Sequence, residues 1–535
     1  SLGVTHVQFL PMYDFATVDE TGNLGFDDQY NWGYDPVNYN VPEGSYASDP
    51  LDPESRIVDM KAMIDAVHDA GMYVIMDVVY NHVYDVESSP LHRTVPGYYF
   101  RYTDGCALHN GTGVGNETAS EQPMMRKYMI DSLKYWAEAY QIDGFRFDLM
   151  GIHDVETMQQ IRSALDEVDS TILLLGEGWN MGNHPDGIEG ANQDNATQIP
   201  RISFFNDKFR DTMKGTHNKL PGIGYVSGGG ADNVAWDVYN LIKGGQHVRG
   251  YADAAQSVNY NEAHDNFTMY DKLKGSLPDA SEDEIIRRHA FATELQFLSN
   301  GVNFVHAGQE AVRTKHGVEN SYNSPDHINV LDYDRAAEYA DSFAYFQKLA
   351  KFRADNDWVR IREYSEIEQA YEALALEDGD KRFSYRVNFG DQPERVVFVN
   401  PDADAWQTEL PEGDWKLILS DISNTPVTST EAVNANEDEA TYSGAISVPH
   451  IAAIVFEKVE SEEPTDPVEP TEPSETDPTD SVDPAEPTAP TGEPGDTDRS
   501  DKTLPKTGVQ VGLLVFAALA LAGLGIGAVR LARNR

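Results

Sequence analysis

Reactive side chains stand at the ends of several short apolar runs in this sequence. The run at residues 142–148 ends in Arg146 and Asp148, and a later run ends in Glu177 beside Trp179. An arginine next to a carboxylate favours its charged form, whereas a carboxyl group against aromatic surface is the better candidate for a raised pKa. Two carboxyl groups in opposite protonation states can serve as nucleophile and general acid. A purely structural ion pair explains Arg146 and Asp148 equally well when they are considered alone.

Two more runs end in the same kinds of residue. DVVYNH at residues 77–82 ends in His82, and NYNEAHDN at residues 259–266 contains His264 and Asp265. Each histidine or aspartate alone is as readily a buried, hydrogen-bonded core residue. Their joint occurrence after four separate runs favours one shared site over four unrelated structural uses.

The elements that must position these residues are strands and helices in alternation. This pattern predicts right-handed β-α-β units and a parallel sheet. The predicted strands lie at residues 4–10, 72–78, 142–148, 172–177, 201–206, 257–261 and 302–306, and the predicted helices at 59–70, 123–139, 154–168 and 284–298. Seven strands are one fewer than a (β/α)8 TIM barrel requires. We therefore predict an α/β fold, a TIM barrel truncated at its N-terminus with the first strand absent, over residues 1–353.

In such a barrel the carboxyl ends of the strands meet at one mouth, where reactive residues collect. A pair of carboxylates there, with an arginine beside one and an aromatic ring beside the other, has the parts that a glycoside hydrolase needs. On this interpretation Asp148 attacks the anomeric carbon and Glu177 protonates the leaving oxygen. His82, His264 and Asp265 can hydrogen-bond sugar hydroxyls.

Four motifs carry a resemblance to a known family. DVVYNH (77–82), GFRFD (144–148), GEGW (176–179) and AHDN (263–266) resemble the signature regions of the α-amylase family, glycoside hydrolase family 13. That family is retaining. The resemblance implies that the catalytic residues are the nucleophile Asp148, the acid/base Glu177 and the transition-state stabiliser Asp265, and that substrate is bound by His82, Arg146 and His264.

Within that family, YNWGYDP at residues 30–36 resembles the signature of type I pullulanases, and NSYNSPD at residues 320–326 agrees with it. The resemblance implies further substrate-binding residues, namely Tyr34, Asp35, Trp179, Asn323 and Asp326. It also implies cleavage of α-1,6-glucosidic bonds in pullulan and branched α-glucans. Two alternatives stay open: an enzyme acting on α-1,4 bonds, alone or together with α-1,6 bonds, and a surface glucan-binding adhesin without turnover. No organic cofactor is required; calcium binding is compatible with the family, but no motif identifies its ligands.

Composition restricts the partners of the chain. The formal net charge is −49, which argues against nucleic acid as a partner because phosphates require lysine and arginine. The single cysteine, Cys106, excludes an intrachain disulfide. Short strands separated by turn residues predict an antiparallel β-sandwich over residues 354–459.

The C-terminal end has a different composition. Residues 460–503 are rich in Pro, Thr, Asp and Glu, which predicts a disordered, extended spacer. LPKTG at 504–508 is followed by an apolar run at 509–529 and a basic tail to residue 535. About 21 residues at roughly 1.5 Å each span a membrane core. This order resembles a Gram-positive sortase signal, with cleavage between Thr507 and Gly508.

That resemblance implies an extracellular protein attached covalently to the cell wall. Its partners would be sortase, peptidoglycan and an α-glucan, and it would contact the membrane only through the C-terminal helix before sorting. An ordinary tail-anchoring helix is the alternative. No signal peptide precedes the first predicted strand, so we expect the chain to be a fragment that lacks its own N-terminus.

Overall fold

The computed structural model describes residues 2–429 and 440–459. The predicted spacer, the LPKTG motif and the apolar run at 509–529 lie outside the described residues. Among the helices of the described part, none combines the length and apolar character that crossing a membrane requires.

The described N-terminal part contains nine strands. They are β1 (His6–Phe9), β2 (Tyr13–Phe15), β3 (Pro36–Pro42), β4 (Tyr73–Val78), β5 (Gly144–Phe147), β6 (Leu173–Gly176), β7 (Ser203–Phe205), β8 (Ser257–Asn259) and β9 (Val302–Asn303). Seven of them form a parallel sheet in the order β1-β4-β5-β6-β7-β8-β9, while β2 and β3 pair separately as antiparallel strands. The seven predicted strands are confirmed, each shortened at one or both ends. Strands β1 and β9 are the edges of the sheet.

Helices connect the strands and cover one face of the sheet. They are α1 (Pro53–Asp69), α2 (Pro90–Thr94), α3 (Pro123–Tyr140), α4 (Val155–Asp166), α5 (Asp207–Lys214), α6 (Val234–Ile242), α7 (Gln246–Arg249), α8 (Met269–Ser276), α9 (Glu282–Phe297), α10 (Asp326–Asn329), α11 (Tyr333–Glu338), α12 (Ala340–Asp355) and α13 (Tyr364–Ala370). Short 3₁₀ turns lie at Gly44–Tyr46, Met150–Ile152, Gln193–Gln198, Tyr225–Ser227, Ala254–Gln256, Gln309–Ala311 and Asp357–Val359. The four predicted helices correspond to α1, α3, α4 and α9.

Helix α3 shows why these segments are helical and which face they bury. It starts with Pro123 at its first turn, where a missing N–H costs no hydrogen bond, and ends at Gln141 in the left-handed conformation. Met125, Met129 and Trp136 are buried at helical spacing and form one stripe. That stripe packs in the same core as the apolar residues of β4 and β5.

The alternation of side chains along each strand separates the two faces of the sheet. In β4, Val74, Met76 and Val78 join the core under the helices, whereas Ile75 belongs to a small cluster on the opposite face. Asp77 has the same parity as Ile75. The polar side chains at the strand ends therefore project from the interior face of the curled sheet.

The C-terminal part consists of antiparallel sheets, as predicted. Its strands are β10 (Tyr371–Ala375), β11 (Phe383–Val387), β12 (Arg395–Asn400), β13 (Trp406–Glu409), β14 (Trp415–Leu419), β15 (Thr428–Ser429), β16 (Thr441–Tyr442), β17 (Ala445–Val448) and β18 (Ala452–Lys458). Six form one sheet in the order β10-β11-β12-β18-β14-β16, and three form another in the order β13-β17-β15.

Both faces of the six-stranded sheet are buried. Val396 and Phe398 of β12 pack with Trp406 and Val448 of the smaller sheet, while Val397 on the other face of β12 joins the core that contains the helices. The C-terminal sheets thus pack on the helical layer. The predicted boundary between residues 353 and 354 falls within α12 and stays a prediction.

Candidate active site

One guanidinium group lies at the centre of the strand ends. Arg146 is only 2% exposed. Its Nη1 donates to both oxygens of Asp77, at 2.9 and 3.0 Å, and to Oδ1 of Asp148 at 3.0 Å, while its Nη2 pairs with Oε1 of Glu177 at 2.8 Å. Three carboxyl groups from three neighbouring strands therefore share one buried cation. The predicted pairing of Arg146 with Asp148 is present, and the same arginine also holds Glu177.

The register of the sheet explains this arrangement. Asp77 is the partner of Arg146 in the β4–β5 ladder, and Phe147 is the partner of Gly176 in the β5–β6 ladder. Asp148 directly follows Phe147, and Glu177 directly follows Gly176. Because side chains alternate between faces, they project on the same interior face as Arg146.

Glu177 is nine-tenths buried between the strand end and the loop after β5. Its Oε2 accepts a hydrogen bond from the backbone N–H of Leu149 at 3.2 Å. Burial raises the pKa of Glu177 to about 8, although the Arg146 charge acts in the opposite direction. The negative charges of Asp148 and Asp265 add to the increase in this pKa. The raised pKa favours the protonated form of Glu177, which is the form that a general acid needs.

A glycine allows the close approach behind Glu177. A Cβ atom placed on Gly151 would lie 1.9 Å from the backbone oxygen of Trp179. Any other residue at position 151 would push apart the segments that carry Asp148 and Glu177.

Asn81 fixes Asp148 from the side opposite to Arg146. Its amide nitrogen donates to both the backbone oxygen and Oδ2 of Asp148, each at 2.8 Å. The oxygen of the same amide contacts Nδ1 of His82, whose Nε2 lies 2.9 Å from the backbone oxygen of Tyr34. Burial lowers the pKa of His82. Both oxygens of Asp148 are thus held, and His82 links it to the 30–36 loop.

The 30–36 loop brings Tyr34 to the floor of the site. The Tyr34 hydroxyl donates to Oδ2 of Asp77 at 2.7 Å. Its ring is stacked on His264, with centroids 5.1 Å apart and planes 20° apart, and Trp32 meets His264 edge to face at 4.8 Å. The predicted residues Tyr34 and His264 are therefore neighbours, although they are far apart in the sequence.

Asp265 lies on the loop beyond β8 and is more exposed than the other two carboxylates. Its side chain is 52% exposed, and Oδ2 is 3.8 Å from Nε2 of His264. Asp265, Glu177 and Trp179 line one cavity of about 420 Å³. The Arg210 guanidinium lies over the Trp179 ring, 5.9 Å from its centroid. The structure thus brings the three predicted catalytic carboxylates to the same mouth.

Three other predicted binding residues have contacts that do not involve Arg146. The backbone oxygen of Asp35 accepts from Ala16, and burial raises the pKa of the Asp35 carboxyl. Asp326 accepts from the backbone N–H of Asp27 at 2.7 Å, which ties the loop before Tyr30 to α10. Asn323 is exposed. Their roles in binding substrate stay predictions.

One acidic cluster in the described part could be considered for a cation. Carboxyl oxygens of Asp14, Glu20 and Glu43 lie within 4.8 Å of one another. Glu20 is paired with Arg56, and Glu43 accepts from the backbone N–H groups of Phe15 and Ser45. Since these contacts account for two members of the cluster, calcium binding stays a prediction without assigned ligands.

Two residues without a predicted site role join this network: Asp77 accepts hydrogen bonds from Arg146 and Tyr34, and Asn81 donates to Asp148. Asp77 and Asn81 both belong to the DVVYNH run, in which the sequence predicts a site role only for His82. Asp77 is wholly buried, and burial raises its pKa to about 7 while Arg146 lowers it. Their position in the run was the available signal, because residues of one parity at a strand end share a face.

Comparison with known proteins agrees with this geometry. No family model matches the chain. The chain is 41% identical to the pullulanase of Bacillus subtilis strain 168 over 449 residues, which cover 81% of this chain and 61% of that protein. It is 29% identical to pullulanase A of Streptococcus pneumoniae, covering 76% of this chain and 36% of that protein. The chain thus spans less than two thirds of the length of these relatives.

A solved structure covers more of the chain. The pullulanase of Paenibacillus barengoltzii, in complex with maltohexaose and α-cyclodextrin, superimposes with a TM-score of 0.78 at 40% sequence identity. The match covers 86% of this chain and 70% of that one. Together with the four motifs at the strand ends, these similarities show that the chain belongs to the pullulanases of glycoside hydrolase family 13.

Proposed function

We propose that this chain is a retaining glycoside hydrolase of the type I pullulanase kind, which cleaves α-1,6-glucosidic bonds in pullulan and branched α-glucans. The observation that carries the proposal is the Arg146 guanidinium, which joins the carboxyl groups of Asp148 and Glu177 at one mouth. The pullulanase relatives support the choice of linkage.

In the first step Asp148 attacks the anomeric carbon while Glu177 gives its proton to the glycosidic oxygen. The carbon–oxygen bond breaks, the leaving chain departs as an alcohol, and a glycosyl ester forms on Asp148. In the second step the Glu177 carboxylate takes a proton from water, whose oxygen attacks the anomeric carbon and releases Asp148. Two inversions retain the α configuration.

The surrounding residues bind the sugar in this mechanism. Tyr34 supplies a flat ring for the C–H face of the pyranose, and His264, which is stacked on that ring, faces its hydroxyl groups. Both ring nitrogens of His82 contact Asn81 and Tyr34, so His82 contributes by holding those two residues in place. Asp265 stabilises the positive charge that develops at the transition state. Trp179 lies on the side of Glu177, where the leaving chain departs.

Product analysis tests the linkage. Pullulan treated with the protein should yield maltotriose, since each α-1,6 bond joins maltotriosyl units. Panose, or unchanged pullulan, would contradict α-1,6 cleavage. Linear amylose is the matched control: its hydrolysis alongside maltotriose release would favour an enzyme acting on both linkages. Proton NMR of the first product formed should show the α anomer.

We further propose that the parallel sheet is a (β/α)8 barrel with one strand absent. A cavity of about 1160 Å³ is lined by residues of both edge strands, β1 and β9. The side-chain oxygen of Gln8 and both amide atoms of Asn303, which line it, are buried without a hydrogen-bond partner among the described residues. An extended apolar segment between β1 and β9 would fill this space and close the sheet.

An apolar segment fused ahead of Ser1 tests this proposal. Insertion as a strand should slow hydrogen exchange of the backbone amides of β1 and β9 by at least about 10-fold, since both edges gain ladder partners. The matched control carries the same segment with two central prolines, which cannot donate to a ladder. Equal exchange in the two fusions would contradict the barrel.

We also propose that the C-terminal LPKTG motif directs covalent attachment to the wall of a Gram-positive cell, which places the enzyme outside the cell. The order of pentapeptide, apolar run and basic tail supports it. A sortase should cleave a peptide of residues 498–512 between Thr507 and Gly508. The peptide with Thr507→Ala is the control, and an uncleaved wild-type peptide would overturn the proposal.

A further inference from the structure

Asp265 is held differently from the other two carboxylates of the site. Asp148 follows directly after β5 and Glu177 directly after β6, so the sheet itself places them. Asp265 instead lies on a loop that runs from the end of β8 at Asn259 to the start of α8 at Met269. The position of its carboxylate therefore depends on side chains that hold the loop.

A buried lysine makes the contact next to Asp265. Lys315 is 1% exposed, and its ammonium group donates to the backbone oxygen of His264 at 2.8 Å and to that of Glu319 at 3.0 Å. Its own backbone N–H donates to Oδ2 of Asp271 at 2.7 Å. Lys315 thus joins the residue before Asp265 to the segment that follows β9.

The same ammonium group also reaches the 30–36 loop. It lies over the Trp32 ring, 5.5 Å from the centroid. Trp32 meets the His264 ring at 4.8 Å, and its backbone N–H donates to the oxygen of Tyr322 at 2.9 Å. A lysine ammonium has three N–H donors. Two of them are used by carbonyl oxygens, and the ammonium also contacts an aromatic face that borders the site.

We propose that Lys315 is a positioning residue for hydrolysis, which sets the orientation of His264 and Asp265 by holding the His264 carbonyl with its charged ammonium group. This inference rests on the proposed glycosidase function. Lys315 acts through the loop and touches neither substrate nor the reacting atoms.

The chemistry of the contact favours a charged group at this position. Charge-assisted hydrogen bonds are shorter and stronger than neutral ones. Burial lowers the pKa of Lys315 to about 8, with the Asp265 charge acting against that decrease. Burying the Lys315 ammonium group has an energetic cost, and the group lies where it hydrogen-bonds the loop that carries Asp265.

Replacement by Met and by Arg separates positioning from packing. Lys315→Met keeps a similar length and removes the charge and the donors. We expect kcat on pullulan to fall by about 10- to 100-fold, because small misplacements of a catalytic group have effects of this size, and KM to change less than about threefold. Lys315→Arg keeps the charge and the donors, and should retain several times more of the wild-type kcat.

Lys243→Met is the matched control. Lys243 is also buried, at 7% exposure, but its ammonium group pairs with Glu368 at 2.6 Å and lies against Tyr239, in the layer between α6 and α13. Its removal tests for the cost of losing any buried lysine. We expect a lowered Tm with kcat unchanged.

Two results would overturn the inference: a Lys315→Met kcat equal to that of Lys243→Met, or equal losses of kcat in Lys315→Met and Lys315→Arg. If Lys315→Met does not fold, the kcat of Lys315→Arg is compared with that of the wild type. A full loss of kcat in a folded Lys315→Arg variant would contradict the positioning role of Lys315. A wild-type protein that releases no sugar from pullulan would overturn the proposed function itself. An active wild type with an unaffected Lys315→Met overturns only this inference.

Discussion

Burial raises the pKa of two glutamates in this molecule whose surroundings differ. Burial raises the pKa of Glu177, at the mouth of the parallel sheet, to about 8, and it raises the pKa of Glu294, on α9, to about 8 as well. Glu177 borders a cavity and is paired with Arg146. Glu294 is 1% exposed and accepts at 2.7 Å from the backbone N–H of Ala453 in β18.

Burial accounts for the raised pKa of Glu294 without any catalytic role. The Tyr345 hydroxyl oxygen lies 2.8 Å from Oε1 of Glu294 and 2.8 Å from the backbone oxygen of Ser420. The Tyr345 hydroxyl and the backbone N–H of Ala453 both donate to Glu294, and both hydrogen bonds act against the increase in its pKa. A raised pKa therefore marks burial in both places, and only the neighbouring carboxylate of Asp148 and the open cavity mark Glu177 as a catalytic candidate.

The largest expected effect comes from Asp148, the proposed nucleophile beside Glu177. Asp148→Asn keeps the shape and removes the attacking charge, so kcat on pullulan should fall on the order of 10⁴-fold or more. Binding of maltotriose, measured by calorimetry, should remain. A residual rate above about one hundredth of wild type would remove Asp148 as the nucleophile.

The comparison itself is tested by replacing each glutamate with its amide. Glu177→Gln should lower kcat on pullulan by about 10²- to 10⁴-fold, the usual contribution of a general acid. Glu294→Gln serves as the control and should leave kcat within about twofold. Equal losses in the two variants would show that the effect is not specific to proton transfer at Glu177.

The pH profile gives a smaller effect with a defined sign. Because Glu177 must be protonated to act as the acid, kcat/KM should fall as pH rises through about 8, by about tenfold per pH unit beyond it. The Glu294→Gln variant should show the same alkaline limb. If the alkaline limb disappears in Glu294→Gln, the group that titrates is Glu294 and not Glu177.

The smallest effect concerns stability. The folded-state pKa of Glu294 is raised from 4.5 to about 8, so the native state holds a proton that the unfolded chain releases. Its contribution to the free energy of unfolding is complete below pH about 4.5 and is lost as pH rises through about 8, with a slope of at most about 1.4 kcal/mol per pH unit. Urea denaturation of Glu294→Gln should show a flatter dependence than wild type over this range. An unchanged slope would show that Glu294 is ionised in the folded protein.

The sequence by itself determined the strands and the residues at their ends. Alternation of apolar and polar residues is local, so 144–148 could be assigned to a strand with Arg146 and Asp148 on one face. The order of strands and helices then predicted that Asp148, Glu177 and Asp265 meet at one mouth, as they do.

Only the tertiary structure determined which of these side chains form ion pairs and hydrogen bonds with one another. The pairing of Arg146 with Asp77 and Glu177 depends on the register between strands, which no local pattern specifies. The contact of Lys315 with His264 and the burial of Glu294 against β18 join segments far apart in the chain. Such contacts arise only when the chain is packed, because the distance between two side chains in space does not follow from their separation in sequence.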